Sequence, residues 1–562
     1  MTVTEEPQPL LWLTPIALRD AGPVGLVKNL ERILLHLGFD DVRIIDGAND
    51  GGADILAVRG QEEWVIQSKW SLNKPINSDG VDEVDEAFGR FDASHAILAT
   101  NQSLSKPGQE RVKQLTNIGL RIDVWNGETI RAVSRSMPDY VPVTRENRDY
   151  QLESKKALIN DIDKHGRGLL MLATGLGKTV VGGEVIAHYL RQKPGMKVLV
   201  LSHLKELSAQ LERAMWRHIP KTVPTQLLTG DFKPSTLDGL TAATIETALK
   251  TVHEGYRPDL IMIDEAHHVG ENGQYRALLD LLEGVPYFGV TATPWRGDEF
   301  DLTHLFGPPS MRVGIAQGMA EGYLSQVDYQ ILVDNFNWDL VKDQSKYGYS
   351  IKELNRSLFL PQRDAEIVEN IRVAWNSTVG PRAIMFCQTI EHSEDFAALL
   401  RRSDPEWSTT TALHSGLSMQ QRQIVLNQFR LGRTPMLTCV DVLNEGVDVP
   451  DVNIIGFLRV THSRRIFIQQ LGRGLRLAQN KTSLKVLDFV TDIRRVAATL
   501  NLRRELEGER ERLELTGQVA EGIRFSNETT GALLDSWIED AADLETSADE
   551  VRLQFPDSFG IH

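Results

Sequence analysis

The stretch Leu170-Met171-Leu172-Ala173-Thr174-Gly175-Leu176-Gly177-Lys178-Thr179 constrains this chain more than any other. Leu169 to Leu172 is an apolar run suited to a buried strand, and Val180-Val181 opens an apolar helix. A glycine-bearing turn between a strand and a helix is a phosphate-binding loop. Gly175 and Gly177 let backbone N–H groups crowd round phosphate oxygens, with Thr174 in the same turn. Lys178 adds a positive charge, Thr179 offers a hydroxyl to Mg²⁺, and the helix N-terminus adds its dipole. A chain with this loop is committed to an α/β fold around a nucleotide.

The length, 562 residues, suggests three or four domains. Hydrophobic content of 41% and charged content of 25% are those of a globular protein. The net charge of −16 would repel nucleic acid, so any such site must be a local basic groove. The acid is unevenly placed: from Gly531 to His562 eight Asp/Glu face one Arg. The only cysteines, Cys387 and Cys439, lie in apolar strand-like runs, which points to buried free thiols and a reducing cytoplasm. Glu5 and Glu6 precede a short apolar stretch, the wrong charge for a signal peptide. No apolar run is long enough to span a bilayer, so no membrane partner is expected.

Before the loop, Val24 to Leu37 has helical apolar spacing and carries Glu31. Strand-like runs follow at Ala53–Val58 and Trp64–Trp70, joined by a turn. Alternation puts Gln67 and Lys69 on one face of the second run, and Asp54 on its neighbour can reach that face. A carboxylate, a second oxygen ligand and a lysine suit metal-assisted phosphodiester hydrolysis.

The ordered set Gly38-Phe39, Asp50-Gly51-Gly52-Ala53-Asp54 and Gln67-Ser68-Lys69 resembles the Mrr-type restriction endonuclease domain of the PD-(D/E)xK superfamily. The resemblance runs on through Ala96–Asn101 and Ile122–Gly127. It implies Asp54 as a metal ligand, Lys69 as the catalytic lysine and a glutamate on the first helix, Glu31, as a further ligand. Gln67 stands where the second acid usually is, and the Q-x-K variant is read as active.

Ser134 to Arg148 carries Pro138 and Pro142 among polar residues and reads as a flexible linker. Beyond it, ordered motifs resemble the superfamily 2 helicase core, from about Arg148 to Val496. The phosphate loop matches the A-T-G-x-G-K-T variant of such motors. Arg148-Asp149-Tyr150-Gln151 resembles the R-x-Y-Q element, where Gln151 would read adenine. Leu260 to Ile263 delivers Asp264-Glu265-Ala266-His267, a DEAH box in which Asp264 would hold Mg²⁺ and Glu265 orient the hydrolytic water. Gly289-Val290-Thr291-Ala292-Thr293-Pro294 matches motif III. Asn444-Glu445-Gly446-Val447-Asp448 matches motif V, so Gly446 and Asp448 join the nucleotide-binding set. Gln469-Gln470-Leu471-Gly472-Arg473-Gly474-Leu475-Arg476 matches motif VI, and Arg473 and Arg476 are the arginine-finger candidates. The nearest-looking motors are those of type I and type III restriction enzymes and XPB-like helicases.

The expected architecture is an α/β chain: an Mrr-like nuclease domain (1–137), a linker (138–147), two RecA-like parallel-sheet lobes (148–325 and 326–496) and a helical acidic tail (497–562). Expected cofactors are ATP and Mg²⁺, and the expected partner is double-stranded DNA, modified or of phage origin. The tail could serve as an ordered cap, as a site for a partner protein or second copy, or as an autoinhibitory DNA mimic. The favoured function is an ATP-dependent translocase or helicase fused to a Mg²⁺-dependent endonuclease that restricts foreign DNA. The alternatives are a repair or remodelling helicase whose nuclease-like domain only binds DNA, and a non-catalytic scaffold.

Overall fold

A computed structural model describes residues 10–45, 53–60, 62–91, 93–142, 146–292, 301–331, 349–350, 364–430, 432–440, 452–458, 483–489 and 552–553. Contacts group the chain into two compact units, Met1–Leu170 with Thr179–Met311, and Met171–Lys178 with Arg312–His562.

The first unit begins with a five-stranded sheet in sequence order, β1 (Asp41–Ile44), β2 (Ile55–Arg59), β3 (Glu62–Lys69), β4 (His95–Thr100) and β5 (Ile122–Trp125). β1-β2-β3 is an antiparallel meander, and β3-β4-β5 is parallel. The change of direction after β3 requires a crossover, which the helix Ser78–Arg90 supplies. That helix buries Val81, Val84 and Ala87 in one cluster with Val65, Ala96 and Leu98. Each buried valine contributes about 1.5–3 kcal/mol.

A seven-stranded sheet follows, with β6 (Arg167–Leu172), β7 (Val198–Ser202), β8 (Thr225–Leu228), β9 (Leu240–Thr244), β10 (Leu260–Asp264), β11 (Tyr287–Thr291) and β12 (Met311–Val313). Its order is β12-β6-β11-β10-β7-β9-β8, and the run β11-β10-β7-β9-β8 is parallel. β7, β9 and β10 are buried along their whole length, as a sheet covered on both faces demands.

The second unit holds an all-parallel six-stranded sheet. Its strands are β13 (Gln326–Ile331), β15 (Ala383–Phe386), β16 (Thr411–Leu413), β17 (Met436–Cys439), β18 (Ile454–Phe457) and β19 (Ser483–Asp488), in the order β13-β19-β18-β15-β17-β16. A short antiparallel pair joins β14 (Tyr349–Ser350) to β20 (Arg552–Leu553). Cys387, just past β15, and Cys439, at the end of β17, are buried and not joined in a disulfide. The rest of the acidic tail lies outside the described residues, and no described helix is long and apolar enough to cross a membrane.

The Mrr-like region is not hung from a free tether. It docks on the first parallel sheet's helices within one compact unit. Arg32 is 2% exposed, and its guanidinium donates to the carbonyls of Pro220 (3.3 Å) and Val223 (3.0 Å) while lying 4.5 Å over the Trp12 ring. Trp12 Nε1 donates to the Lys221 carbonyl at 2.8 Å, and Lys28 pairs with Glu212. The segment read as a linker is anchored at its start. The Pro138 carbonyl bonds to His36 Nδ1 at 3.0 Å, and the Asp139 carbonyl accepts from the Lys221 amide at 2.7 Å. Burial of His36 pulls its pKa down to about 4.

Candidate active sites

The Q-x-K strand carries its predicted residues to one place. The β2–β3 register pairs Ile55 with Ile66, and the Asp54 amide donates to the Ile66 carbonyl at 3.0 Å, so Asp54 lies opposite Gln67. Asp54 is 6% exposed, and its Oδ2 accepts from the Ser68 amide at 2.6 Å. Gln67 is 3% exposed. Its Oε1 has no hydrogen-bond partner among the described residues. A buried acceptor without a donor is costly unless a cation or water meets it.

The structure adds a residue that the motif does not contain. Glu83, on the helix Ser78–Arg90, accepts from Gln67 Nε2 at 3.2 Å and pairs with Lys69 Nζ. Gly80 makes that approach possible, because a Cβ there would sit 3.3 Å from Lys69 Cγ and 2.8 Å from Ile76 Cγ2. No local spacing announces Glu83: it lies 16 residues past Gln67, on another element.

Glu31, expected among the metal ligands, makes an ion pair in this structure. Its Oε1 lies 3.1 Å from the guanidinium of Arg213, on the helix Lys205–Met215. Burial raises the Glu31 pKa, opposed by Arg213 and Lys28. The helix Gly22–His36 thus turns this acid to the docking surface, and the carboxylate that meets both Gln67 and Lys69 is Glu83. Among the described residues no three His, Cys, Asp or Glu are gathered to hold a metal. The donors present are the Asp54 carboxylate and the amide oxygen of Gln67, which suit a hard cation.

The phosphate loop has the backbone its glycines promised. Gly175 and Gly177 have φ of 91° and 84°, a region closed to most side chains. The helix Lys178–Gln192 starts at Lys178, so Thr179 lies in its first turn. The Ala173 amide donates to the Val313 carbonyl at 2.9 Å, which ties the loop's start to β12. Gln151 Oε1 accepts from the Arg148 amide at 3.0 Å and caps the helix Asp149–His165.

Asp264 ends β10 and is 9% exposed. Glu265 follows with φ 47°, the only described non-glycine residue in the left-handed region. Such strain costs about 1–3 kcal/mol and gathers at functional turns. His267 Nδ1 lies 3.2 Å from Glu265 Oε2 and 2.9 Å from Thr291 Oγ1, so the DEAH turn and β11 share one imidazole. Gly289 on β11 admits the turn: a Cβ there would come within 2.7 Å of Ala266 Cβ. Asp50, Gly51, Gly52, Thr293, Pro294, Gly446, Asp448, Arg473 and Arg476 lie outside the described residues.

Three family models match the chain in order: a restriction endonuclease domain over residues 18–133, the type III restriction enzyme res subunit over 144–296, and the helicase conserved C-terminal domain over 363–478. The type I restriction enzyme EcoAI endonuclease subunit of Escherichia coli is 24% identical, over 65% of this chain and 49% of its own length. The DNA 3'-5' translocase XPB2 of Sulfurisphaera tokodaii is 25% identical, over 62% of this chain and 82% of its own. Several curated relatives are about twice as long as the part this chain matches. Among solved structures, the ATP-dependent type ISP restriction-modification enzyme LlaBIII bound to DNA superposes with a TM-score of 0.54 at 17% identity. That superposition covers 91% of this chain and 41% of the other, and shows the shared fold. The chain joins a restriction-endonuclease domain to the two domains of a superfamily 2 helicase.

Proposed function

We propose that this chain is an ATP-dependent DNA translocase or helicase whose own nuclease domain cuts DNA with a divalent metal, acting in restriction of foreign DNA. The observation that carries the nuclease half is the buried, partnerless Gln67 Oε1 beside Asp54 and Lys69. Asp54 and Gln67 would hold Mg²⁺, which when bound supplies a Lewis acid and an activated water. Lys69 stands two residues on, a fixed cation for the scissile phosphate. The DNA repair or remodelling reading differs only in that this centre binds DNA without cutting it.

In the motor, Lys178 would neutralise the β- and γ-phosphates, and the amides of the Gly175–Gly177 turn would cradle them. Thr179 and Asp264 are the assigned Mg²⁺ ligands. Glu265 is the group that orients water, its carboxylate restrained by His267. Gln151, Thr174, Gly446 and Asp448 belong to the nucleotide-binding set, and Arg473 and Arg476 to the γ-phosphate. Double-stranded DNA, modified or of phage origin, is the proposed substrate.

The test is to incubate the full chain with modified and unmodified phage DNA and Mg²⁺, with and without ATP. Metal-dependent cleavage of one DNA class, together with DNA-stimulated ATP hydrolysis, is expected. Intact DNA on every substrate with Mg²⁺ or Mn²⁺, alongside normal ATPase, would leave the DNA-binding reading in its place.

A further inference from the structure

We propose that Glu83 is a positioning residue for the nuclease centre, and that Gln67 is an amide because Glu83 is a carboxylate. The inference rests on the metal-dependent nuclease reading.

Glu83 Oε2 accepts from Gln67 Nε2 at 3.2 Å and also pairs with Lys69 Nζ. One carboxylate therefore restrains both named members of the Q-x-K strand, Gln67 and Lys69. The contact to Gln67 decides which way its amide points. With Nε2 on Glu83, Oε1 is turned away from it and stays partnerless, as a metal-facing oxygen must be. The flipped amide would set Oε1 against a carboxylate, acceptor on acceptor, and leave an NH₂ facing the cation. Glu83 removes that alternative, as outer partners of metal ligands do.

The same geometry excludes a glutamate at 67. Its carboxylate would stand within hydrogen-bond distance of Glu83, and two carboxylates so placed repel unless they share a proton. The centre has its second carboxylate, moved from the strand to the neighbouring helix. It is also the more solvent-reaching group: the Glu83 side chain is 41% exposed, whereas Gln67 is 3% exposed. Gly80, one turn before Glu83, lets the helix lie against the Lys69 stem.

The experiment is a charge exchange in the full chain without nucleotide. Wild type, Glu83→Gln, Gln67→Glu and the double variant Gln67→Glu/Glu83→Gln are compared by Mn²⁺ affinity, read by electron paramagnetic resonance, and by cleavage kcat and KM. DNA-stimulated ATPase reports folding. Each single variant should lose about tenfold or more in Mn²⁺ affinity and kcat, the range for outer-shell partners. KM for DNA should stay near wild type. The double variant should recover most of both losses, because it restores one amide and one carboxylate to the pair. Wild-type Mn²⁺ affinity and kcat in Glu83→Gln would overturn the inference and spare the nuclease reading. So would a double variant no better than the worse single one. A wild-type chain that binds no Mn²⁺ and cuts no DNA would overturn both.

Discussion

The proposed phosphate loop and nuclease centre would do comparable chemistry, holding phosphate oxygens near a cation, and they are built in opposite ways. The loop is ten consecutive residues, Leu170 to Thr179, and its shape comes from two glycines with positive φ. The nuclease centre gathers side chains from the start of β2, the end of β3 and a helix across the sheet. A contiguous backbone site concentrates its dependence on one charged side chain. A distributed site spreads it over partners that must change together.

The largest expected effect sharpens that contrast. Lys178→Ala and Glu265→Gln should each cut ATP turnover by about two orders of magnitude or more, the range such electrostatic groups supply. Metal-dependent cleavage without ATP should persist in both. Asp54→Ala should abolish cleavage and leave DNA-stimulated ATPase intact. Loss of ATPase in a well-folded Asp54→Ala protein would break the comparison, since the two centres would then not be separable.

A middle-sized effect concerns the surface between the two domains. Arg213→Ala leaves Glu31, 5% exposed, without its ion-pair partner and with only Lys28 acting on it. The cost should be about 2 kcal/mol, reduced from a fully buried pair because Arg213 reaches solvent. It would be read as a lower urea midpoint and faster hydrogen exchange at residues 31–36. Unchanged exchange there would restore the flexible-tether picture.

The smallest effect is a pH dependence. The folded-state pKa of His36 is depressed by burial to about 4, from an ordinary 6.5. Its contribution to stability is complete above pH 6.5 and declines as pH falls toward 4, because only the unfolded chain takes up the proton there. From pH 7 to pH 6 the loss should be about 0.7 kcal/mol. His36→Gln, which keeps a donor for the Pro138 carbonyl, should flatten that slope in urea titrations. A parallel slope in both proteins would assign it to another group.

The contrast also explains what could be read in advance. Strand, turn and helix at residues 169–181 were legible because consecutive residues set φ and apolar period. Asp54, Gln67 and Lys69 were legible because alternation and a single hairpin place them. Glu83 was not, since its arrival depends on how the Ser78–Arg90 helix crosses the sheet and on the absent side chain of Gly80. The Glu31–Arg213 pair was hidden for the same reason: helical spacing shows that Glu31 is on the helix but not which neighbour its face meets. The polar docking of Arg32 and Trp12 was equally hidden, because its acceptors are carbonyls, which every sequence has.

That docking has a consequence for the order of synthesis. Trp12, Lys28 and Arg32 find their partners 209, 184 and 188 residues further along the chain. At about 5–20 residues per second the ribosome delivers those partners roughly ten to forty seconds later. During that interval an N-terminal domain that folds early displays Trp12, Lys28 and Arg32 to solvent. The nascent protein therefore passes through a sticky stage that the finished one does not have.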